Sequence, residues 1–97
     1  MKEELFKGKV KIFPDGWYYV EVPTKNSNKY VAYTKRGNIA INAIVGNSVW
    51  PTLLWGFGDN TFFITIPAKV RKKENINEND QIKIKFGLRL SNDKTKK

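Results

Sequence analysis

With 97 residues and a formal net charge of +9, the chain has the length of one domain with one hydrophobic core and leaves no room for a second. It contains neither cysteine nor histidine, which excludes disulfides, thiolate metal sites and the commonest zinc ligand and acid–base group. Fifteen of the eighteen basic residues are lysine and ten asparagines accompany them, so the charge reflects a Lys/Asn composition as well as any anion-binding surface.

The start, Met1-Lys2-Glu3-Glu4, is charged and runs into a strand pattern, with nothing resembling a signal peptide or the ~20 apolar residues of a membrane span. A cytoplasmic protein with no membrane contact is the expectation. Leu5 to Phe13 alternates, Phe6, Gly8, Val10 and Ile12 opposing Lys7, Lys9 and Lys11, which is the period of a half-buried strand. Pro14-Asp15-Gly16 predicts a hairpin turn, because proline presets φ and glycine accepts a positive one. Trp17 to Val22 is the return strand. Pro23 suits a first helical turn, so Thr24 to Tyr33 reads as a short helix or irregular crossover anchored by Val31, ended by Gly37. Asn38 to Val45 is a third strand, and Gly46-Asn47-Ser48 a turn.

The same order then returns. Val49 to Trp55 is a strand that Pro51 interrupts as an edge or bulge, Gly56 to Asn60 a loop, and Thr61 to Ile66 the return strand. Pro67 opens a second short helix over Ala68 to Lys73, followed by a polar loop from Glu74 to Asn79. Ile82, Ile84, Phe86, Leu88 and Leu90 then alternate with polar residues or glycine in the last strand. The recurrence is literal in places: Tyr18-Tyr19-Val20-Glu21-Val22-Pro23-Thr24-Lys25 returns 44 residues later as Phe62-Phe63-Ile64-Thr65-Ile66-Pro67-Ala68-Lys69, and Phe13-Pro14-Asp15-Gly16 as Phe57-Gly58-Asp59-Asn60. Two strand-strand-helix-strand units, about 5–46 and 48–90, predict a mainly β fold. It is a small closed six-stranded barrel with two short helices, forming one domain over 1–90, and residues 91–97 are a disordered basic tail.

An ordered set of segments carries a family resemblance: Trp17 to Pro23, Gly37-Asn38-Ile39 with Ala43-Ile44-Val45-Gly46, Gly58-Asp59-Asn60, Phe62 to Arg71, and Asn79-Asp80. With these the chain resembles the prokaryotic family known as domain of unknown function 1905. The resemblance implies a six-stranded barrel similar to the AbrB-type double-split barrel and no established activity. It also implies an arginine at the position of Arg71 and glycine where Asn60 and Asn79 stand. Family members often precede a second domain linked to bacteriocin protection; this chain ends before one and is expected to stand alone.

No catalytic set assembles from these residues. Asp15 and Asp59 occupy matching turns, where aspartate ordinarily bonds its own backbone, and Ser27, Ser48 and Ser91 lack a histidine partner. Neither a metal set nor a cofactor motif is present in the sequence, and the chain is read as no enzyme. The aromatic residues say more. Alternation forbids Trp17, Tyr18, Tyr19, Trp50, Trp55, Phe57, Phe62 and Phe63 from all pointing inward, so some lie outside, where they could stack bases, line a small-molecule pocket or cover a protein interface. The plainer reading has Trp17 and Trp55 capping the barrel's ends. Lys69, Arg71, Lys72 and Lys73 form the densest basic cluster, a candidate anion site or simply a solvated face. The candidate binding residues are therefore Trp17, Trp55, Asp59, Lys69, Arg71 and Lys72 in a non-catalytic binding module. Nucleic acid or another anionic ligand is the preferred partner on charge, and a small-molecule or protein-interaction barrel, monomeric or homodimeric, is the alternative. An apolar cavity lined by Trp17, Trp55 and Tyr19 would favour the small ligand.

Overall fold

A computed structural model describes residues 3–27, 38–57 and 61–89. Its strands are β1 (Glu4–Lys9), β2 (Lys11–Ile12), β3 (Tyr18–Val22), β4 (Asn38–Val45), β5 (Ser48–Gly56), β6 (Phe62–Thr65) and β7 (Gln81–Leu88). Helix α1 (Thr24–Ser27) follows β3, and α2 (Ala68–Glu74) follows β6. The strands form one antiparallel sheet in the order β1-β7-β4-β5-β6-β3-β2. The two ends of that order, β1 and β2, are neighbours in sequence separated only by Val10. The sheet therefore curls into a nearly closed barrel whose seam is bridged by its own first strand.

The difference between the expected six strands and the observed seven lies in this strand. Val10 is fully buried; its N–H donates to the carbonyl of Asp80 (2.9 Å), and its carbonyl accepts from the N–H of Asn79 (2.8 Å). The strand before it pairs with β7, Phe6 opposite Ile84, while Lys11 and Ile12 after it pair with Tyr19 and Tyr18 of β3. Gly8 makes the closure possible. A Cβ there would collide with Cγ1 of Val20, so no larger residue lets β1 approach β3 this closely.

The repeated phrases lie side by side. β3 pairs with β6, and Val20 faces Ile64, its equivalent 44 residues on. An antiparallel ladder that pairs matching positions is what a local twofold axis produces. Both turns also close alike, with the N–H of Phe13 on the carbonyl of Trp17 and that of Phe57 on Thr61, each 2.9 Å. Gly16, at φ 96°, supplies the positive φ that its turn needs. The core runs between the walls: Val20, Ile41, Leu54, Ile64, Ile84 and Phe86 are completely buried, and Phe6 meets Phe86 edge-on at 6.1 Å.

Two expectations change. Pro51 does not break its strand, because β5 pairs with β4 along its whole length, Asn42 opposite Pro51. Counting from the two-residue hairpin that joins Val45 to Ser48, Pro51 falls on a non-hydrogen-bonded pair, so its missing N–H would have pointed away from β4. On that outer side β6 pairs only with Trp55 and Gly56, leaving the rest of β5 as the edge that proline tolerates. Second, the polar segment after α2 contributes to the core. Asn75 ends the helix in the left-handed region (φ 56°), and Ile76 turns inward, 6% exposed. Asn79 also sits at φ 72°, taking the conformation expected of the glycine it replaces. Helix α1 accounts for four residues of the predicted 24–33 crossover; the rest, with Val31, lies outside the described residues, as does the basic tail over 91–97.

Gly8→Ala is expected to destabilise the domain by about 1–3 kcal/mol, as overpacking at a closed seam does. Gly87→Ala is the control: its nearest non-neighbour atom would be Cγ of Glu3 at 3.4 Å and its φ is ordinary, so its stability should change by less than about 0.5 kcal/mol. Urea denaturation of the two variants checks the contrast.

Candidate functional site

Strand alternation sorts the aromatic residues into two sets. Trp50 and Phe62 point inward, at 7% and 2% exposure, whereas Trp55 and Phe63, on the same two strands, point out. Outside, the rings form a continuous platform. Phe13 stacks on Tyr19 at 3.8 Å and meets Phe63 edge-on at 5.1 Å; Phe63 lies 4.6 Å from Phe57 and stacks with Trp55 at 6.5 Å. Much of this apolar surface remains in water: Trp17 is 57% exposed, Phe57 42% and Trp55 37%.

Where β5 parts from β6, the platform deepens into a groove of about 560 Å³ lined by Phe13, Asp15, Trp17, Thr52, Leu53, Trp55, Phe63 and Thr65. Trp17 and Trp55 are thus brought together, as side-chain walls on the barrel's outer surface. They do not plug its ends, since a plug would not leave Trp17 more than half exposed. Tyr19 is absent from the lining and backs Phe13 instead. Asp15 was legible only as a turn residue; its Oδ1 accepts weakly from the N–H of Trp17 (3.5 Å), and the turn holds the carboxylate at the groove.

The basic cluster on α2 does not act as one unit. The guanidinium of Arg71 lies 3.7 Å from the ring centre of Tyr18 and its Nε–H donates to the carbonyl of Ile66 (3.3 Å), so it clamps the helix onto β3. Glu74 secures the other end of α2, accepting from Oγ of Ser48 at 2.7 Å and filling the space above Gly46, whose φ is 57°. Lys69 and Lys73, one helical turn apart, line a separate groove with Trp50 and Pro51, while Lys72 faces solvent. Asp59 lies outside the described residues. A third, larger groove of about 930 Å³ follows the seam past Gly8, Lys9, Lys11 and Phe57, where Lys11 is paired with Glu21 at 3.4 Å.

Other lysines occupy the outer face of β1 and β7. Lys7 stands directly opposite Lys83, with Lys9 next along β1 and Lys85 bridged to Glu3 at 3.8 Å. Among the described residues no three of Asp, Glu, His or Cys gather as a metal set, and no helix is long and apolar enough to cross a membrane. One internal polar pair escaped the sequence reading: the side-chain amide of Asn26 in α1 donates to Oε1 of Glu4 at 3.1 Å, both residues 9% exposed, tying the crossover to β1.

A nearly closed antiparallel barrel, whose β5 and β6 part after two residue pairs and whose two aromatic strands each lead into a short helix, defines the class: a small β-barrel domain. Its sequence matches the model of one family, domain of unknown function (DUF1905), over residues 4–86, and the chain belongs to that family. No curated protein matches it.

Arg71→Lys keeps the charge but loses the flat ring stack and the Nε–H bond. It should cost about 1 kcal/mol, a fall in melting midpoint of about 4–8 °C for a domain of this size. Thermal melting of the variant beside the parent chain measures the fall.

Proposed function

We propose that this domain is a non-catalytic binding module whose ligand is a small molecule held in the outer groove between Trp17 and Trp55. The observation that carries the reading is the groove itself: two partly exposed indoles flank a floor of Phe13, Leu53 and Phe63, with a few polar groups at the rim. Apolar walls with sparse convergent polar groups are the usual make-up of small-ligand sites. Apolar side chains left in water on a rigid wall are also ready to bury area on binding without ordering cost. The absence of cysteine and histidine from the sequence supports a binding role over catalysis. The charge of the chain does not favour an anion at this place, because no lysine among the described residues lines the groove.

A soluble fragment library of aromatic and alkyl compounds, read by tryptophan fluorescence and thermal shift, should yield binders. Trp17→Ala or Trp55→Ala should weaken them about ten-fold or more, as loss of a stacking face does; Trp55→Ala also removes a stack on Phe63 and should cost about 1 kcal/mol or more of stability, read separately by thermal melting. Retained affinity in both variants would place the ligand elsewhere.

A second reading has its own support. Lys7 and Lys83 face each other across β1 and β7, a like-charge pair that costs the sheet up to about 1 kcal/mol and that a polyanion would relieve. On this reading the β1–β7 face contacts nucleic acid phosphates. A gel shift at low salt should then weaken steeply as salt rises, and Lys7→Gln with Lys83→Gln should lower the salt slope by about 2. No shift at low salt would end that reading.

A further inference from the structure

We infer that the ligand of the Trp17–Trp55 groove is an organic cation, carrying an alkylated ammonium group. The inference rests on the small-ligand reading of that groove and adds the sign and chemistry of the ligand's charge. Fifteen lysines and three arginines are distributed through this sequence, yet among the described residues the charged residue that lines the groove is an acid, Asp15. Its carboxylate is lightly engaged. Oδ1 receives one long contact from the N–H of Trp17, and no salt bridge reaches Asp15 among the described residues.

Two described cations make contacts of their own away from the groove: Lys11 is paired with Glu21, and Arg71 is stacked on Tyr18. An anionic ligand entering the groove would therefore meet a carboxylate and, among the described residues that line it, no cation. A neutral apolar ligand would gain nothing from the carboxylate at the rim. An ammonium bearing alkyl groups satisfies both features of the site. Its diffuse positive charge is attracted to the electron-rich indoles of Trp17 and Trp55, 57% and 37% exposed, its methyl groups pack on the apolar lining, and Asp15 supplies the counter-charge. Quaternary ammonium groups are the ligands that aromatic walls select most readily.

The hairpin makes the arrangement rigid. The N–H of Gly16 donates to the carbonyl of Phe13 at 2.8 Å, and that of Phe13 to Trp17 at 2.9 Å, so Asp15 and Trp17 are carried on one closed turn. The groove volume of about 560 Å³ falls within the range of ligand sites and leaves space for more of the molecule than its head group.

The test compares choline with 3,3-dimethylbutan-1-ol, its neutral carbon isostere, titrated into the full chain and followed by tryptophan fluorescence and indole N–H resonances. Choline should bind about ten-fold or more tightly than the isostere. Asp15→Asn, which keeps a good turn residue, should lower choline affinity about ten-fold and leave the isostere unaffected. Trp17→Leu, which keeps apolar bulk without a π face, should weaken choline more than the isostere; circular dichroism melts confirm that both variants fold. Equal binding of the two compounds, no effect of Asp15→Asn, or no choline binding while neutral fragments occupy the groove would overturn the cation and leave the groove standing. If neither the two compounds nor any fragment binds at Trp17 and Trp55, the small-ligand reading falls and the cation with it.

Discussion

Val10 is where the first strand changes partners, and the barrel depends on that change. Before it the chain runs along β7; after it, along β3, so two strands at opposite ends of the sheet order belong to one continuous segment. Two features allow it. The backbone of Val10 is held on both sides by Asn79 and Asp80, and Gly8 leaves room for Val20 to pack where a side chain would otherwise stand. Without this bend the sheet would be open, with two long unpaired edges available to other chains. With it, β5 and β6 still diverge after two residue pairs, and there the aromatic groove lies.

The same geometry explains why so small a domain carries so many rings. Inside, space is limited, and one ring from each neighbouring pair suffices: Phe62 but not Phe63, Trp50 but not Trp55. The outward rings do not stay separate. Phe13, Tyr19, Phe57 and Phe63 contact one another in stacked and edge-on pairs across strand and loop boundaries, stabilising the outer surface and giving the groove a firm floor. A surface that is both apolar and preorganised suits binding better than an equal area of mobile side chains.

Much of the fold was legible because it is written in period two. The alternation at Phe6 to Val10 and at Ile82 to Phe86, the Pro14-Gly16 turn and Pro67 ahead of α2 each state their structure through local stereochemistry, and the repeated phrase announces that two strands are related. The site was legible only in part. Trp17 and Trp55 were visible as aromatic residues in excess of what the interior can hold, but their lining one groove depends on β5 passing beside the β2–β3 turn, which brings together residues 38 apart in sequence. Asp15 read as a turn residue, which it also is; nothing local says that a turn carboxylate overlooks a groove. Arg71 shows the opposite failure. Its place in a basic run suggested a ligand contact, whereas the aromatic face that occupies it, Tyr18, comes from the other copy of the repeat. Ile76 was hidden among polar neighbours because a single inward residue in a loop has no period to reveal it.

The position of β7 has a consequence for the order in which the chain is made. This strand is the last to be synthesised, yet it sits between the first strand and β4 and pairs with both. Earlier segments can form hairpins such as β4–β5 as they emerge, but β1 has no ladder partner of its own until about eighty residues have followed it. The protein therefore cannot close its wall progressively during translation. Closure is a late event of long loop length, and the amino-terminal strand, with Lys7 and Lys9 on its outer side, must wait in solution for the carboxyl-terminal one. Charge on that waiting edge discourages pairing with a neighbouring chain during the delay, which gives the lysines of β1 a use before any ligand is present.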